Sequence, residues 1–516
     1  MATVYDVFVI GGGVNGCGIA RDAAGRGYSV YLSEKNDIAS ATSSASSKLI
    51  HGGLRYLENF EFSLVRASLK ERDILIKIAP HIIREMRFVL PHHTNLRPVW
   101  LLKLGMLLYD NLYSSKYIKR SSYIRLSSHE TKSTLTEAYK KGFEYSDCIT
   151  DDARLTVLNA ADAKRLGGNV NTRTMVKNME QKNGVWNIEV MNTISNETKY
   201  VQAKVVVNAT GPWVDHFLKN RIKQTKVDNV RLVKGSHIVV KKLFNHSYAY
   251  ILQNSDSRVF FAVPWENEFT FIGTTDVDFK DSLDSFSSSD DEINYLCKSA
   301  NQYFRSNITS NDVIKRWSGV RPLYDDGSIK AQKASRDYTI RIDSQNNSSA
   351  LINIFGGKMT TFRQLSEEVV NKVGSILGKN KSPWTSDVHL PGGNFSLSEK
   401  PKIIDALAKK HDYLDVDYIE RLFNLYGNRV EYILKNVSSI DDLGLHFGRD
   451  LYQVEVDYLM QEEFALFPED VLERRTKLYL FLDYDKIESL DNYMQKKGRL
   501  DSKYSNISVN HTSENG

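Results

Sequence analysis

The chain has 516 residues, 41% hydrophobic and 25% charged, a composition that excludes a disordered or collagenous protein. Its 68 basic and 63 acidic residues leave a net charge of +5, too small for a nucleic-acid binder dominated by phosphate contacts. Length predicts roughly two to four structural units, while three irregularly spaced cysteines, Cys17, Cys148 and Cys297, exclude a disulfide scaffold and fit a reducing compartment.

The first predicted element is the β-rich run VYDVFVI at 4–10. MATVYDVFVIGGG shows no basic leader with a cleavage site, so secretion is not expected. GGGVNG follows at 11–16, then a helical pattern through Ile19, Ala20 and Ala23 to Gly27. Tyr28 to Ser33 reads as a second strand, ending at Glu34. Strand, glycine turn, helix, strand and acid together predict a dinucleotide-binding unit. Gly11 permits the tight turn, Gly13 lets a pyrophosphate approach the backbone, and Gly16 lets the helix lie close to the sheet. The helix N-terminus offers N–H groups to phosphates, and Glu34 is placed to accept from ribose hydroxyls. The turn alone does not separate FAD from a nicotinamide nucleotide.

Next comes DIASATSSASSKLIHGGLRY (37–56), dense in small hydroxylated residues that include Thr42, Ser43, Ser46 and Ser47 before Lys48. Such a stretch can follow an extended diphosphate and supply donors without bulk; a flexible linker is the competing reading. Segments 60–90 and 130–165 read as mainly helical, with Leu, Ile and Ala inward. Between them, RPVWLLKLGMLLYDNLYSSKYIKR (97–120) has an apolar core interrupted by Lys103 and too short to span a bilayer. Trp100, Tyr109, Tyr113 and Tyr117 mix there with Arg97, Lys103, Lys116, Lys119 and Arg120, a composition suited to the headgroup region. A buried helix hairpin or a homodimer interface would use the same apolar residues. His92–His93 stands beside this segment, with no metal-ligand motif to accompany it, so no metal is expected.

The stretch 186–210 alternates and then turns continuously apolar. VVVNATGPWVD (205–215) reads as a buried strand that breaks at Ala209 and Gly211, where backbone can pass close to a cofactor. RLVKGSHIVV, YAYILQN, RVFFAVPW and FTFIGTTD, within 227–279, predict the sheet of a substrate domain, and 280–292 an exposed loop. ALINIFGGKMTTFRQLSEEVVNKV (350–373) reads as strand, Gly356–Gly357 turn and amphipathic helix. Its first turn, through Lys358, Met359 and Thr360, would aim N–H groups at a ligand, a fit for charge on a reduced flavin. From 398 onward, three- and four-residue spacing predicts a separate helical unit.

GGGVNG, ATSSASSKLIHGGLRYLE, GFEYSDC, DDARL, NATGPWV, KGSHIVV, IGTTD, SGVRPL and FGGKMTTFR together resemble the FAD-dependent glycerol-3-phosphate dehydrogenases, the bacterial aerobic type most closely. LPGG, LYGNRVEYIL and PEDVLERRTKLYL extend the resemblance to about residue 490. It implies an α/β chain of glutathione-reductase and amino-acid-oxidase type. The expected Rossmann-like FAD-binding domain takes 1–90, 140–215 and 325–390, and a β-sheet substrate domain takes 91–139 and 216–324. An all-helical domain at 391–503 and a polar tail at 504–516 complete it. The implied reaction is oxidation of sn-glycerol 3-phosphate to dihydroxyacetone phosphate, with electrons leaving through FAD to membrane quinone.

Under that resemblance the site needs cations for phosphate and a base near the C2 hydroxyl. Arg55, Arg321 and Arg336 are the candidate phosphate arginines, with Tyr56, Thr275 and Lys358 beside the substrate. Asp276 is expected to brace a turn or a neighbouring arginine. His51 is the first candidate proton acceptor and His237 the second. Gly357, Met359 and Thr360 join the cofactor set. The expected location is the inner face of the cytoplasmic membrane, on an anionic surface, without nucleic acid. The rival readings are a soluble oxidase that passes electrons to oxygen and a flavin-binding scaffold without turnover.

Overall fold

The computed structural model describes residues 3–94, 96–222, 229–254, 256, 258–325, 337–346 and 349–508. Two units emerge, one through His389 and one from Leu390 onward. In the first, β-branched and aromatic runs build two sheets, of eight and ten strands among the described residues.

The first sheet is centred on the strand Val4–Ile10, where Val7, Phe8 and Val9 are fully buried. Its parallel neighbours are Val30–Ser33 and Thr198–Asn208, and the latter pairs in parallel with Ser349–Gly356. Ile10, Ser33 and Asn208 lie side by side in register, with Asn353 next in line. The turns after these four strands therefore share one carboxyl edge, where ligands bind in open parallel sheets. Helix α1 (Val14–Gly25) returns from the first turn and packs across the sheet.

The second sheet is mostly antiparallel and runs from Val277–Asp278 through Val230–Lys241 and three further strands to Ile83–Pro91, Lys141–Thr150 and Leu49–Ile50. This corrects two expectations. Residues 83–91 and 141–150 are strands rather than parts of helical connections. Ile83, Met86, Val89 and Leu90 recur at spacings that also suit a helix, and nine of the ten residues of 141–150 are buried or half-buried, so neither run shows clean alternation. The chain segments expected to form only the FAD domain thus also contribute Leu49–Ile50, Ile83–Pro91 and Lys141–Thr150 to the second sheet.

Between these strands lie α2 (Phe62–Ile78), α3 (Val99–Leu112) and, after them, α4 (Asp152–Arg165). Asp151 caps α4 by accepting from the Arg154 N–H at 3.0 Å. α3 buries Met106 and Tyr109 but exposes Trp100, Leu104, Leu107 and Leu108. Tyr109 thus leaves the surface aromatic set in which the sequence placed it. No helix among the described residues is long and apolar enough to cross a membrane.

The second unit begins at Leu390, one residue before the expected boundary, and is helical. Ile419, Leu422, Phe423, Tyr426, Val456 and Leu459 form the centre of its core. Its last helix, Tyr484–Ser508, continues past the expected end at 503; residues 509–516 of the expected tail lie outside the described residues.

Candidate active site

At the carboxyl edge of the first sheet the glycine turn passes close against neighbouring backbone. Gly11 has φ +110°, and a Cβ there would stand 2.6 Å from the Ala209 carbonyl oxygen. Only glycine satisfies both conditions. At Gly16 a Cβ would lie 1.9 Å from the Gly11 carbonyl, so this glycine lets α1 close against the turn without itself lining the cavity. The Gly12 N–H donates to Glu34 Oε2 at 2.6 Å, and the Asn36 N–H donates to Oε1 at 2.8 Å. Burial raises the Glu34 carboxyl above its usual range, against the pull of those two donors.

The small-residue segment runs between the two sheets. Ser43 accepts from the Val14 N–H at 2.9 Å, which leaves its own O–H for donation. Thr42 donates to the Val320 carbonyl at 2.8 Å, tying the segment to the second sheet. Ser46 donates to Asp152 Oδ2 through both its N–H and its O–H, at 3.1 and 2.7 Å. Lys48 is a correction to the cofactor set. Its ammonium is buried, donates to Asp152 Oδ1 at 2.8 Å and lies over the Trp317 ring, outside the cavity wall.

A cavity of about 910 Å³ extends from the glycine turn to residues of the second sheet. Gly11, Gly13, Glu34, Thr42, Ser43, Ser46, Ser47, Ala209, Gly211, Gly357, Met359 and Thr360 all line it. So do His51, Arg55, Tyr56, Arg321 and Lys358, which brings most of the candidate chemistry into one volume. The Lys358 ammonium sits 3.9 Å from the Tyr56 ring centroid. Arg321 pairs with Asp276 and donates to Thr274 Oγ1 at 3.0 Å, so its guanidinium is fixed beside the cavity before any anion arrives. Gly235 makes room for it: a Cβ there would be 2.8 Å from Arg321 Nη2 and 2.4 Å from Thr274 Oγ1.

Three candidates fall elsewhere. His237 is buried, accepts or donates through Nε2 to Ser47 Oγ at 3.0 Å, and stacks on Trp317 with centroids 5.1 Å apart. It does not line the cavity, and burial, with Arg321 and Lys48 nearby, pushes its pKa well below the usual histidine range. A ring held neutral in this way packs against Trp317 within the sheet. Thr275 is buried as well, donating to Glu292 Oε1 at 3.0 Å and accepting from the Ser236 N–H at 2.9 Å. Its neighbours Thr274 and Asp276 line the cavity instead. Arg336 lies outside the described residues.

Sequence reasoning missed Asn15, Phe88, Tyr145, Asp147, Phe261 and Thr274 in the cavity wall. All but Asn15 and Thr274 come from strands whose role needed the register of the second sheet. Thr274 was adjacent to a chosen residue; alternation along an extended segment was the available signal.

A family model for FAD dependent oxidoreductases matches residues 6–358, and one for the C-terminal domain of alpha-glycerophosphate oxidase matches 383–496. A glycerol-3-phosphate dehydrogenase of Pseudomonas aeruginosa is 43% identical over 498 residues, covering 96% of both chains. A D-erythritol 1-phosphate dehydrogenase of Brucella abortus is 43% identical over 477 residues, covering 92% of this chain and 95% of its own. The crystal structure of the glycerol-3-phosphate dehydrogenase from Bacillus halodurans, complexed with FAD, superposes with a TM-score of 0.75 at 28% identity. That match covers 96% of this chain and 91% of the other.

The neutral state of His237 has a pH consequence. Its folded pKa is depressed, so below about pH 6.5 the unfolded ring takes up a proton that the folded ring refuses. Stability from this group is therefore full above that pH and falls as pH drops. Between pH 7.5 and 5.5 the wild type should lose up to about 1.4 kcal/mol more than His237→Gln. Urea unfolding of both proteins at the two pH values measures it, and equal losses would refute a neutral buried imidazole.

Proposed function

We infer the reaction from the premise that this chain belongs to the glycerol-3-phosphate dehydrogenases of the FAD dependent oxidoreductase family. It binds FAD and oxidises sn-glycerol 3-phosphate to dihydroxyacetone phosphate. The residues present fit that cofactor. Gly11 and Gly13 would admit its pyrophosphate to the backbone, Glu34 would accept from a ribose hydroxyl, and Met359 and Thr360 open a helical segment at the cavity wall. When bound, FAD supplies the acceptor for the hydride that leaves C2 of the substrate.

The observation that carries the site assignment is that Arg55, Arg321, Lys358 and His51 line a single cavity. Arg321, pre-oriented by Asp276, and Arg55 bind the phosphate through paired N–H donors. Lys358, held over Tyr56, adds positive charge at the reacting end. His51 accepts the C2 hydroxyl proton as the hydride departs, so the alcohol becomes a ketone with charge and electrons balanced. Its backbone N–H donates to Thr360 Oγ1 at 3.2 Å, which joins the base to the cofactor segment.

Electrons leave FAD for a membrane quinone. Support comes from α3, whose outer face exposes Trp100 (67%) and Leu107 (57%) beside exposed Lys103, with Phe60 (78%) also open to solvent. Exposed Lys116, Lys119 and Arg120 follow in the chain, suiting an anionic headgroup layer at the inner face of the cytoplasmic membrane. A homodimer contact through the same face is the competing use of these side chains. A second substrate reading, D-erythritol 1-phosphate, rests on the Brucella relative, which is as similar as the Pseudomonas one.

Anaerobic addition of glycerol 3-phosphate should bleach the bound flavin, and soluble quinone analogues should restore its colour faster than oxygen does. Faster recovery with oxygen would identify an oxidase, absence of bleaching a non-catalytic scaffold, and stronger bleaching by D-erythritol 1-phosphate the longer substrate. Arg321→Ala should keep the yellow cofactor but lower kcat/KM by at least about 30-fold, equivalent to ~2 kcal/mol. Gly235→Ala should act in the same direction by crowding the guanidinium; unchanged saturation curves would remove Arg321 from the phosphate site. Sedimentation with vesicles containing anionic phospholipid should fall at least about tenfold in a Trp100→Glu, Leu107→Glu double variant. Undiminished binding would move the surface contact away from α3.

A further inference from the structure

Three buried side chains that no part of the reaction uses converge beneath the His51 turn. Tyr109, from the inner face of α3, donates its hydroxyl to Asp147 Oδ1 at 2.7 Å and accepts the Gly52 N–H at 3.0 Å. The same N–H reaches Asp147 Oδ1 at 3.2 Å. Arg72, on α2, pairs with Asp147 at 2.8 Å, and the side chains of both are at most 4% exposed. Burial, with Asp147 next to it, raises the Tyr109 pKa far above its usual range, so the phenol keeps its proton and its direction of donation.

The sequence HGG follows from this arrangement. A Cβ on Gly52 would stand 2.4 Å from Leu69 Cδ2 and 2.5 Å from the Tyr109 hydroxyl. Gly53 has φ +78°, and its Cβ would strike the Tyr56 ring at 2.2 Å. The turn is therefore clamped from both sides, by Tyr109 and Asp147 below Gly52 and by Thr360 at the His51 N–H.

We propose that Tyr109 is a positioning residue for proton abstraction, holding the Gly52 peptide and through it the imidazole of His51. The proposal rests on the reading of His51 as the proton acceptor. A displacement of about 1 Å at a reacting group can cost on the order of 100-fold in rate. Tyr109 also makes the inner face of α3 a wall of the catalytic turn, while the outer face of the same helix is apolar and exposed.

Tyr109→Phe removes only the hydroxyl. In the holoenzyme, stopped-flow reduction of flavin by glycerol 3-phosphate should slow about 10- to 100-fold, with KM changed less than about threefold and the flavin absorption spectrum unaltered. Hydrogen exchange in peptides spanning 49–57 should accelerate, because the Gly52 N–H loses an acceptor. Combining Tyr109→Phe with His51→Ala should add no further loss beyond His51→Ala alone, since one residue acts through the other. If His51→Ala reduces flavin at the wild-type rate, the reading of His51 falls and takes the proposal with it. Slow reduction by His51→Ala with a further tenfold loss in the double variant overturns the proposal alone, as does unchanged exchange in 49–57. Should Tyr109→Phe fail to retain flavin, Gly52→Ala displaces the same turn; slow reduction that is non-additive with His51→Ala supports positioning, and wild-type reduction overturns it.

Discussion

A lysine ammonium and a carboxylate, both removed from water, fix the path on which the whole site depends. The Lys48 and Asp152 side chains are 5% and 0% exposed, and they meet at 2.8 Å. Removing two charges from solvent is expensive, and the pair is tolerable only because its remaining hydrogen-bonding capacity is filled. The Ser44 carbonyl accepts from Lys48, while the Ser46 N–H and O–H and the Ala153 N–H donate to Asp152. The consequence is local order across a stretch of small residues with little side-chain packing of its own. Immediately before it the chain touches α1 through Ser43; immediately after it the chain enters the second sheet at Leu49–Ile50 and turns at His51. Lys48 itself takes φ +57°, unusual for a side chain of this size, and the ion pair opposes relaxation of that conformation. Composition alone suggests a linker here; the pair and its hydrogen bonds hold the segment to one path.

The parts of the molecule that could be read from the sequence were those in which one residue type has one physical reason to be present. Gly11 and Gly16 are needed by backbone contacts shorter than any Cβ allows, and Glu34 is needed at a strand end facing the turn. The first sheet was legible because Val7–Ile10 and Val205–Val207 are unbroken apolar runs between glycine and small-residue turns, at the point where their strands pair in parallel. Ile83–Pro91 and Lys141–Thr150 were not, because a strand buried on both faces loses its period and falls in with buried helices. Register also decides orientation within a motif. Thr274 and Thr275 are adjacent, yet one faces Arg321 and the cavity while the other is tied to Glu292 beneath the sheet. Tyr109 looked like one more interfacial aromatic until its depth was known.

Electrostatics separates the two histidines that sequence left as rivals. His237 lies within range of Arg321 and Lys48, and those cations reinforce burial in keeping its ring neutral. The cations beside the cavity therefore add to burial in disfavouring a charged imidazole at His237. His51 lines the cavity and is only half-buried, whereas His237 is buried away from it. The carboxylates are disposed to match. Asp276 is spent on Arg321, while Glu292 receives Lys234, Ser236 and Thr275, which keeps its negative charge compensated behind the sheet.

Glycines in the second sheet complete the design by omission. Gly235 and Gly319 oppose one another on neighbouring strands, and Gly273 opposes His237 on the other side. Interior strand glycines weaken a sheet unless something approaches closely, and here three different groups do. A Cβ at Gly319 would meet the Ala45 carbonyl at 2.8 Å, so the small-residue segment lies against the strand itself. A Cβ at Gly273 would strike the His237 ring at 2.1 Å, and at Gly235 it would crowd Arg321 and Thr274. Chain path, imidazole and guanidinium each occupy space from which a side chain has been withheld. Arg321 and the small-residue segment are thereby brought against one sheet surface, and the distance between them is set by backbone rather than by flexible side chains. A sheet built only for stability would fill those positions with Val or Ile; this one gives up packing so that Arg321 and the Ala45 loop can share a wall of the cavity.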